Sequence, residues 1–207
     1  MMKRKMAIIL DGGFVNVKLK QRNRKFPDAN DINTECQRIL HLDECADLEL
    51  LRIFFYDAPP LQKAITNPID GSVRDLGKSP RATEAQKLHE GLELLPNFAL
   101  RRGELIMNGW RLGDAYTRET QKNNRAPTAN DFVPDIRQKG VDLRIGLDIA
   151  WLSLKHLVDV IVVVAGDGDL IPSFKLARKE GVRIYLDHLR HPVSRELKVH
   201  ADMVLPT

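Results

Sequence analysis

Only two cysteines, Cys36 and Cys45, occur in 207 residues. Two thiols are too few for a disulfide framework or a four-ligand zinc site, so both read as structural thiols of a reducing compartment. No segment approaches the roughly 20 apolar residues that a membrane-spanning helix needs. The leading Met1-Met2-Lys3-Arg4-Lys5 runs through a short apolar stretch into Asp11, which is not the pattern of a signal peptide. Charge of one sign is also lacking: the net charge of +4 permits a nucleic-acid or phosphate partner without demanding one. No internal repeat or low-complexity tract is present. Gly166 to Lys175 lacks the Gly-Lys-Ser/Thr of a phosphate-binding P-loop. These absences leave a single cytoplasmic α/β domain spanning 1–207, with 43% hydrophobic residues to build its core.

What the chain does have is a buried strand that ends in acid. Val160 to Ala165 is a continuous β-branched run that stops at Gly166-Asp167-Gly168-Asp169. Met6 to Leu10 likewise runs into Asp11-Gly12-Gly13. Central parallel strands read as continuous Val/Ile runs, and open α/β sheets bind ligands just beyond the carboxyl ends of such strands.

Between these strands the periodicity predicts a helix from Phe14 to Leu19, a loop from Gln21 to Asn30 around Pro27, and a helix from Ile32 to Leu48 with Asp31 as N-cap. A second core strand follows at Leu50 to Tyr56, ended by Asp57-Ala58-Pro59-Pro60, and a helix from about Arg81 to Leu95. Phe98 to Tyr116 reads as a strand and hairpin turning at Asn108-Gly109. Thr117 to Pro134, polar and carrying Arg118, Lys122 and Arg125, reads as a mobile or partner-ordered loop. Hairpin and loop form an insertion at about 98–135. Gly140 to Leu157 alternates like a strand but is too long for one, and length favours a helix buried on most sides. A strand at 160–165, a helix from Leu170 to Glu180 stopped by Gly181, a strand from Val182 to Asp187, a short helix from Ser194 and a terminal Met203-Val204-Leu205 complete the pattern. Strands alternating with helices imply a mainly parallel sheet.

Asp11, Asp167 and Asp169 come from strand ends, and Asp142 opens the helix preceding the Asp167 strand, so all four can converge on one sheet edge. Two carboxylates about 5 Å apart at an effective dielectric near 20 repel by roughly 3 kcal/mol. Several such pairs require a metal or raised pKa values. All-oxygen ligation suits Mg²⁺ or Mn²⁺ rather than zinc. Such ions activate a water and stabilise the leaving oxygen of a phosphodiester, with no protein nucleophile needed. Asp148, about 120° around the helix from Asp142, reads as supporting or structural.

Ile9-Leu10-Asp11-Gly12-Gly13, Tyr56-Asp57-Ala58-Pro59-Pro60, Lys139-Gly140-Val141-Asp142 with Asp148, Gly166-Asp167-Gly168-Asp169 with Pro172, and Ser194, Leu197 and Ala201-Asp202 together resemble the NYN domain family, the LabA-like group. The match spans nearly the whole chain in order. The resemblance implies a PIN-like, Rossmannoid three-layer sandwich with helices on both faces of a mainly parallel sheet. It also implies a metal-dependent ribonuclease site at Asp11, Asp142, Asp167 and Asp169. The chain departs from the pattern at Phe14, where many relatives carry Asn and for which Asn16 is a substitute, at Ala165 in place of Ser, and at Leu170 in place of Phe.

RNA, single-stranded or structured, is the expected partner, with Lys139 the best-placed cation and Arg101, Arg102 and Arg111 next. Trp110 and Tyr116 read as packing residues that could instead stack bases. Asn16, Lys139, Asp148 and Ser194 are candidate supporting or substrate-contacting residues, Ser194 also reading as a helix N-cap. The His188/His191 spacing reads as a loop rather than a metal pair. A phosphatase with a covalent aspartate would want a second Asp soon after Asp11, and Gly12 and Gly13 supply none. The standing alternative is a nonenzymatic RNA-binding or regulatory module that keeps the acidic pocket. Monomer and homodimer both stay open.

Overall fold

A computed structural model describes residues 3–123 and 125–206. Met1 and Met2 of the leading segment, and the side chain of Lys122, lie outside the described residues. The first half of the chain forms β1 (Arg4–Asp11), α1 (Gly12–Asn23), α2 (Ala29–Leu40), β2 (Leu48–Asp57), β3 (Ala64–Thr66), β4 (Val73–Asp75), α3 (Pro80–Glu93) and β5 (Phe98–Arg102). The second half forms β6 (Glu104–Leu112), α4 (Asp114–Asn123), β7 (Phe132–Lys139), α5 (Val141–Leu154), β8 (Val160–Val164), α6 (Ile171–Lys179), β9 (Arg183–Asp187), α7 (Arg195–Val199) and β10 (Met203–Val204).

Six strands make one sheet in the order β10-β9-β8-β1-β2-β5, and every neighbouring pair is parallel. Helices cover both faces, so the molecule is a three-layer α/β sandwich. The period-2 alternation of the strands assigns side chains to the two faces. Ala7 and Ile9 of β1 join Ile161, Val163 and the buried stripe of α5, α6 and α7 in one core. Met6, Ile8 and Leu10 join Val160, Val162 and α1, α2 and α3 in the other. Because β1 and β8 are paired on both edges and covered on both faces, Met6 to Leu10 and Val160 to Val164 are wholly buried. This is why they read as unbroken apolar runs.

Several expectations are corrected. Asp28, not Asp31, is the N-cap of α2. Its carboxylate accepts from the amides of Asn30 and Asp31, and Asp31 reaches back to the Asp28 amide to close a capping box. The helix expected to reach Leu48 ends at Leu40 and is followed by a short 3₁₀ turn over Asp43–Cys45. Asn108-Gly109 is no hairpin turn. It forms an irregularity inside β6, with Gly109 at φ 109°, where the register with β7 shifts between Met107 and Trp110. Instead β5 pairs parallel to β2 as an edge of the main sheet, while β6 and β7 form a separate antiparallel ribbon none of whose residues is buried. The polar stretch expected to be a loop holds part of α4, a 3₁₀ turn at Ala129–Asp131 and the start of β7. A small β3–β4 hairpin was not anticipated.

Helix α5 explains its own ambiguous sequence. Val141, Ile145, Ile149 and Leu152 enter the core, whereas Leu143, Leu147, Trp151 and Leu154 line its exposed side. Apolar residues on both sides of a helix blur the 3.6-residue period into apparent alternation.

From β1 the sheet is continued on one side by β2 and on the other by the later strands β8, β9 and β10. Their parallel carboxyl ends therefore flank a crevice at the β1–β8 boundary, the usual ligand position in open α/β sheets.

Candidate acidic site at the strand ends

Asp11 closes β1 and caps α1, its Oδ1 accepting from the Phe14 amide at 3.1 Å. The turn is tight: a Cβ on Gly12 would stand 2.5 Å from the Tyr56 carbonyl oxygen and 2.8 Å from the Phe55 ring. Only glycine lets β1 turn into α1 this close to β2. Burial raises the Asp11 pKa to about 6, with the carboxylates of Asp142 and Asp57 adding to the shift and the Phe14 amide opposing it.

Asp142, the second residue of α5, is exposed. Desolvation, followed by the charges of Asp167 and Asp169, raises its pKa. Asp167 follows β8 and caps a 3₁₀ turn over Gly168–Leu170, accepting from the Asp169 amide at 2.9 Å. Asp169 is exposed. Mutual repulsion thus links Asp11 to Asp142, and Asp142 to Asp167 and Asp169. None of the four takes part in an ion pair among the described residues.

A polar cluster that the sequence did not reveal lies beside Asp11. Asp57, at the end of β2, accepts from Asn16 Nδ2 and from His89 Nε2, both at 3.1 Å, and from the Ala58 amide at 2.8 Å. Asn16 and His89 are buried. Asp57 repeats the strand-end aspartate seen at Asp11, a readable signal. His89 sits beside Leu88 on an ordinary amphipathic helix and gave none. With its amide nitrogen committed to Asp57, Asn16 Oδ1 is left buried without a hydrogen-bond partner among the described residues.

The donor chemistry suits a hard divalent cation: carboxylate oxygens throughout, and an amide oxygen whose burial is uncompensated. The geometry is looser. Among the described residues no three His, Cys, Asp or Glu side chains stand close enough together to hold one ion.

The remaining candidates separate. Asp148 does not join the four. It accepts from the Tyr56 hydroxyl at 2.7 Å and from Arg101 Nε at 3.0 Å, tying α5 to β2 and β5. Ser194 caps α7 by accepting from the Leu197 amide at 3.2 Å. Lys139 ends β7 and is exposed, and the adjacent Gln138 side chain reaches over Gly13, bringing this end of the ribbon to the margin of the site. Arg102 and Arg111 are paired with Glu93 and Asp114 at 2.5 and 2.7 Å. Tyr116 is buried and donates its hydroxyl to the Arg125 carbonyl, a packing role, whereas Trp110 is half-buried on β6. His188 and His191 belong to no cluster of three metal-ligating side chains among the described residues. His191 Nδ1 meets Lys18 Nζ at 3.0 Å and its ring packs on Phe14.

Among the described residues, no helix is long and apolar enough to cross a membrane. Comparison with protein-family models and with curated proteins finds no match. The fold is similar to the crystal structure of a protein of unknown function, VPA0982, from Vibrio parahaemolyticus, with a TM-score of 0.52 at 17% identity. The similarity covers 97% of this chain and 91% of that one. This likeness establishes the shared α/β architecture.

Proposed function

We propose that the protein is a metal-dependent ribonuclease that hydrolyses phosphodiester bonds of single-stranded or structured RNA. Asp11, Asp142, Asp167 and Asp169 would hold Mg²⁺ or Mn²⁺. The observation that carries the reading is the run of mutually repelling carboxylates around the β1–β8 crevice, with no ion pair to any of them among the described residues. Such charge density is costly unless a cation or a proton offsets it. The resemblance to the NYN family points to the same four positions.

Bound there, the cation supplies Lewis-acid activation of a water and of the scissile phosphate. The chain's own residues do the rest. Asp11, the most enclosed of the four, orients the attacking water and takes up its proton. Asn16, through its Nδ2 donor to Asp57 at 3.1 Å, fixes the carboxylate that neighbours Asp11. Lys139, at the mouth, contacts a substrate phosphate. Free, buried Cys36 and Cys45 fit a reducing cytoplasmic setting.

The decisive test is cleavage of single-stranded and structured RNAs with Mn²⁺, Mg²⁺ or EDTA, by wild type and by a folded Asp167→Asn/Asp169→Asn double variant. Metal-dependent cutting that disappears in the variant is the expected result. The second reading, an RNA-binding module without turnover, is favoured by the lack of a ready three-residue chelate among the described residues. RNA bound but left uncut by the wild type in both metals would replace the first reading with the second.

A further inference from the structure

On the α1–α2 face of the sheet lies a cavity of about 480 Å³ walled by α1, α2 and the 188–192 loop, and it is strongly cationic. Lys18, Arg22, Arg38 and Arg190 line it, and Glu35 is the acidic residue of the wall. Glu35 is only 2% exposed and is gripped by Arg22 at 2.6 Å and Arg38 at 2.5 Å. Burial alone would raise its pKa, but Arg38 and Arg22 outweigh that and hold it below the usual carboxylate range. Arg38 also bridges to Asp187, which is fully buried at the end of β9, and donates to the Pro206 carbonyl at 3.0 Å. Lys18, Arg22 and Arg38 thus share the wall with one carboxylate, Glu35, while Arg38 is also drawn to Asp187 behind it, so cationic side chains outnumber carboxylates in the lining.

The cations are held in place. Arg22 spends one N–H on Glu35 and keeps the rest of its fork for another acceptor. Lys18 is steadied by His191 Nδ1 at 3.0 Å and by the Phe14 ring, 5.8 Å from its centroid. The loop over the cavity carries Leu189 and Arg190 at φ 47° and 58°, two consecutive non-glycine residues in the left-handed region. Strain of that kind gathers at ligand clamps.

The cavity also adjoins the acidic crevice. Phe14 and His191 pack at 5.7 Å between ring centroids, and both close on Gly166, where a Cβ would meet Phe14 at 2.7 Å and His191 at 3.2 Å. Gly166 directly precedes Asp167, and Phe14 donates its amide to Asp11. One aromatic partition thus separates a cationic cavity from the carboxylates.

We propose that this cavity binds a phosphate group of the RNA strand, a phosphate other than the one cleaved, and so sets the strand's register across the Phe14–His191 partition. The assignment rests on the ribonuclease reading for its ligand. It predicts that anion binding survives when the acidic site is disabled.

The test measures binding in EDTA, where no cleavage occurs. A 3′-fluorescein single-stranded RNA, with a 5′-phosphate or a 5′-hydroxyl, is titrated by anisotropy, and inorganic phosphate is used as competitor. Wild type is compared with Lys18→Gln/Arg22→Gln and, to keep the charge and the Glu35 pair, with Arg22→Lys. The double variant should bind RNA about tenfold more weakly with a shallower salt dependence. Arg22→Lys should bind at an intermediate level, and Asp167→Asn/Asp169→Asn should bind at least as well as wild type. Preference for the 5′-phosphate would identify the terminal phosphate, and equal binding an internal one. Unchanged RNA affinity in a folded double variant overturns the proposal, as does competition by phosphate that leaves RNA bound. Loss of metal-dependent cleavage with this binding pattern intact would sink the ribonuclease reading alone.

Discussion

The charge on Asp11 should cost the fold stability at neutral pH, and removing it should give that stability back. Its pKa rises from 3.8 to about 6 on folding, chiefly through burial. At 1.36 kcal/mol per unit, the ionised group opposes folding by about 3 kcal/mol. Because the folded-state value lies above the unfolded one, the folded protein binds the proton more tightly. Stability is therefore gained as pH falls through about 6 and is complete below 3.8. Between pH 7 and 5 the gain amounts to about 1.3 kcal/mol, or about 3–5 °C in Tm for a chain of this size. Asp11→Asn keeps an oxygen for the Phe14 amide while deleting the charge. Thermal melts in EDTA at pH 7, 6 and 5 should show the variant more stable at pH 7, the gap closing as the pH drops. Carboxylates that do not interact with Asp11 contribute equally to both proteins and cancel in the difference. Parallel wild-type and variant profiles over that range would refute the argument. Saturating Mn²⁺ should flatten the wild-type dependence, since a nearby cation offsets the carboxylate charge that burial penalises.

Gly12→Ala should destabilise by about 1–3 kcal/mol, because its Cβ would press on the Tyr56 carbonyl and the Phe55 ring, both within 2.8 Å; a urea midpoint unchanged from wild type would contradict the close approach. Tyr56→Phe removes the 2.7 Å bond to Asp148 and should cost about 1 kcal/mol by chemical denaturation, with Arg101 still pairing the carboxylate. Asp28→Ala should cost about 1 kcal/mol by opening both halves of the α2 capping box, and a loss no larger than that of an exposed control such as Glu84→Ala would return the cap to another residue.

The sequence by itself determined the layered α/β architecture, because strands buried on both faces must be apolar throughout, as Met6 to Leu10 and Val160 to Val164 are. It also placed Asp11, Asp142 and Asp167 at the ends or starts of elements, since a run of Val or Ile halted by Asp and Gly marks where a strand leaves the core. Ser194 as the cap of α7 was equally legible, because a cap is a local contact. What only the tertiary structure decided depends on partners far along the chain. The Asn108-Gly109 pair is a good hairpin turn in isolation. It became an irregularity inside β6 because β7, some 25 residues later, supplies the partner strand. Asp28 displaced Asp31 as the cap once the chain entered α2 one turn earlier than the apolar period suggested. His89 reaches Asp57 across 32 residues, and Arg38 reaches Asp187 across 149. No local pattern encodes such pairs, because charge and burial become chemistry only when the sheet order brings their strands together.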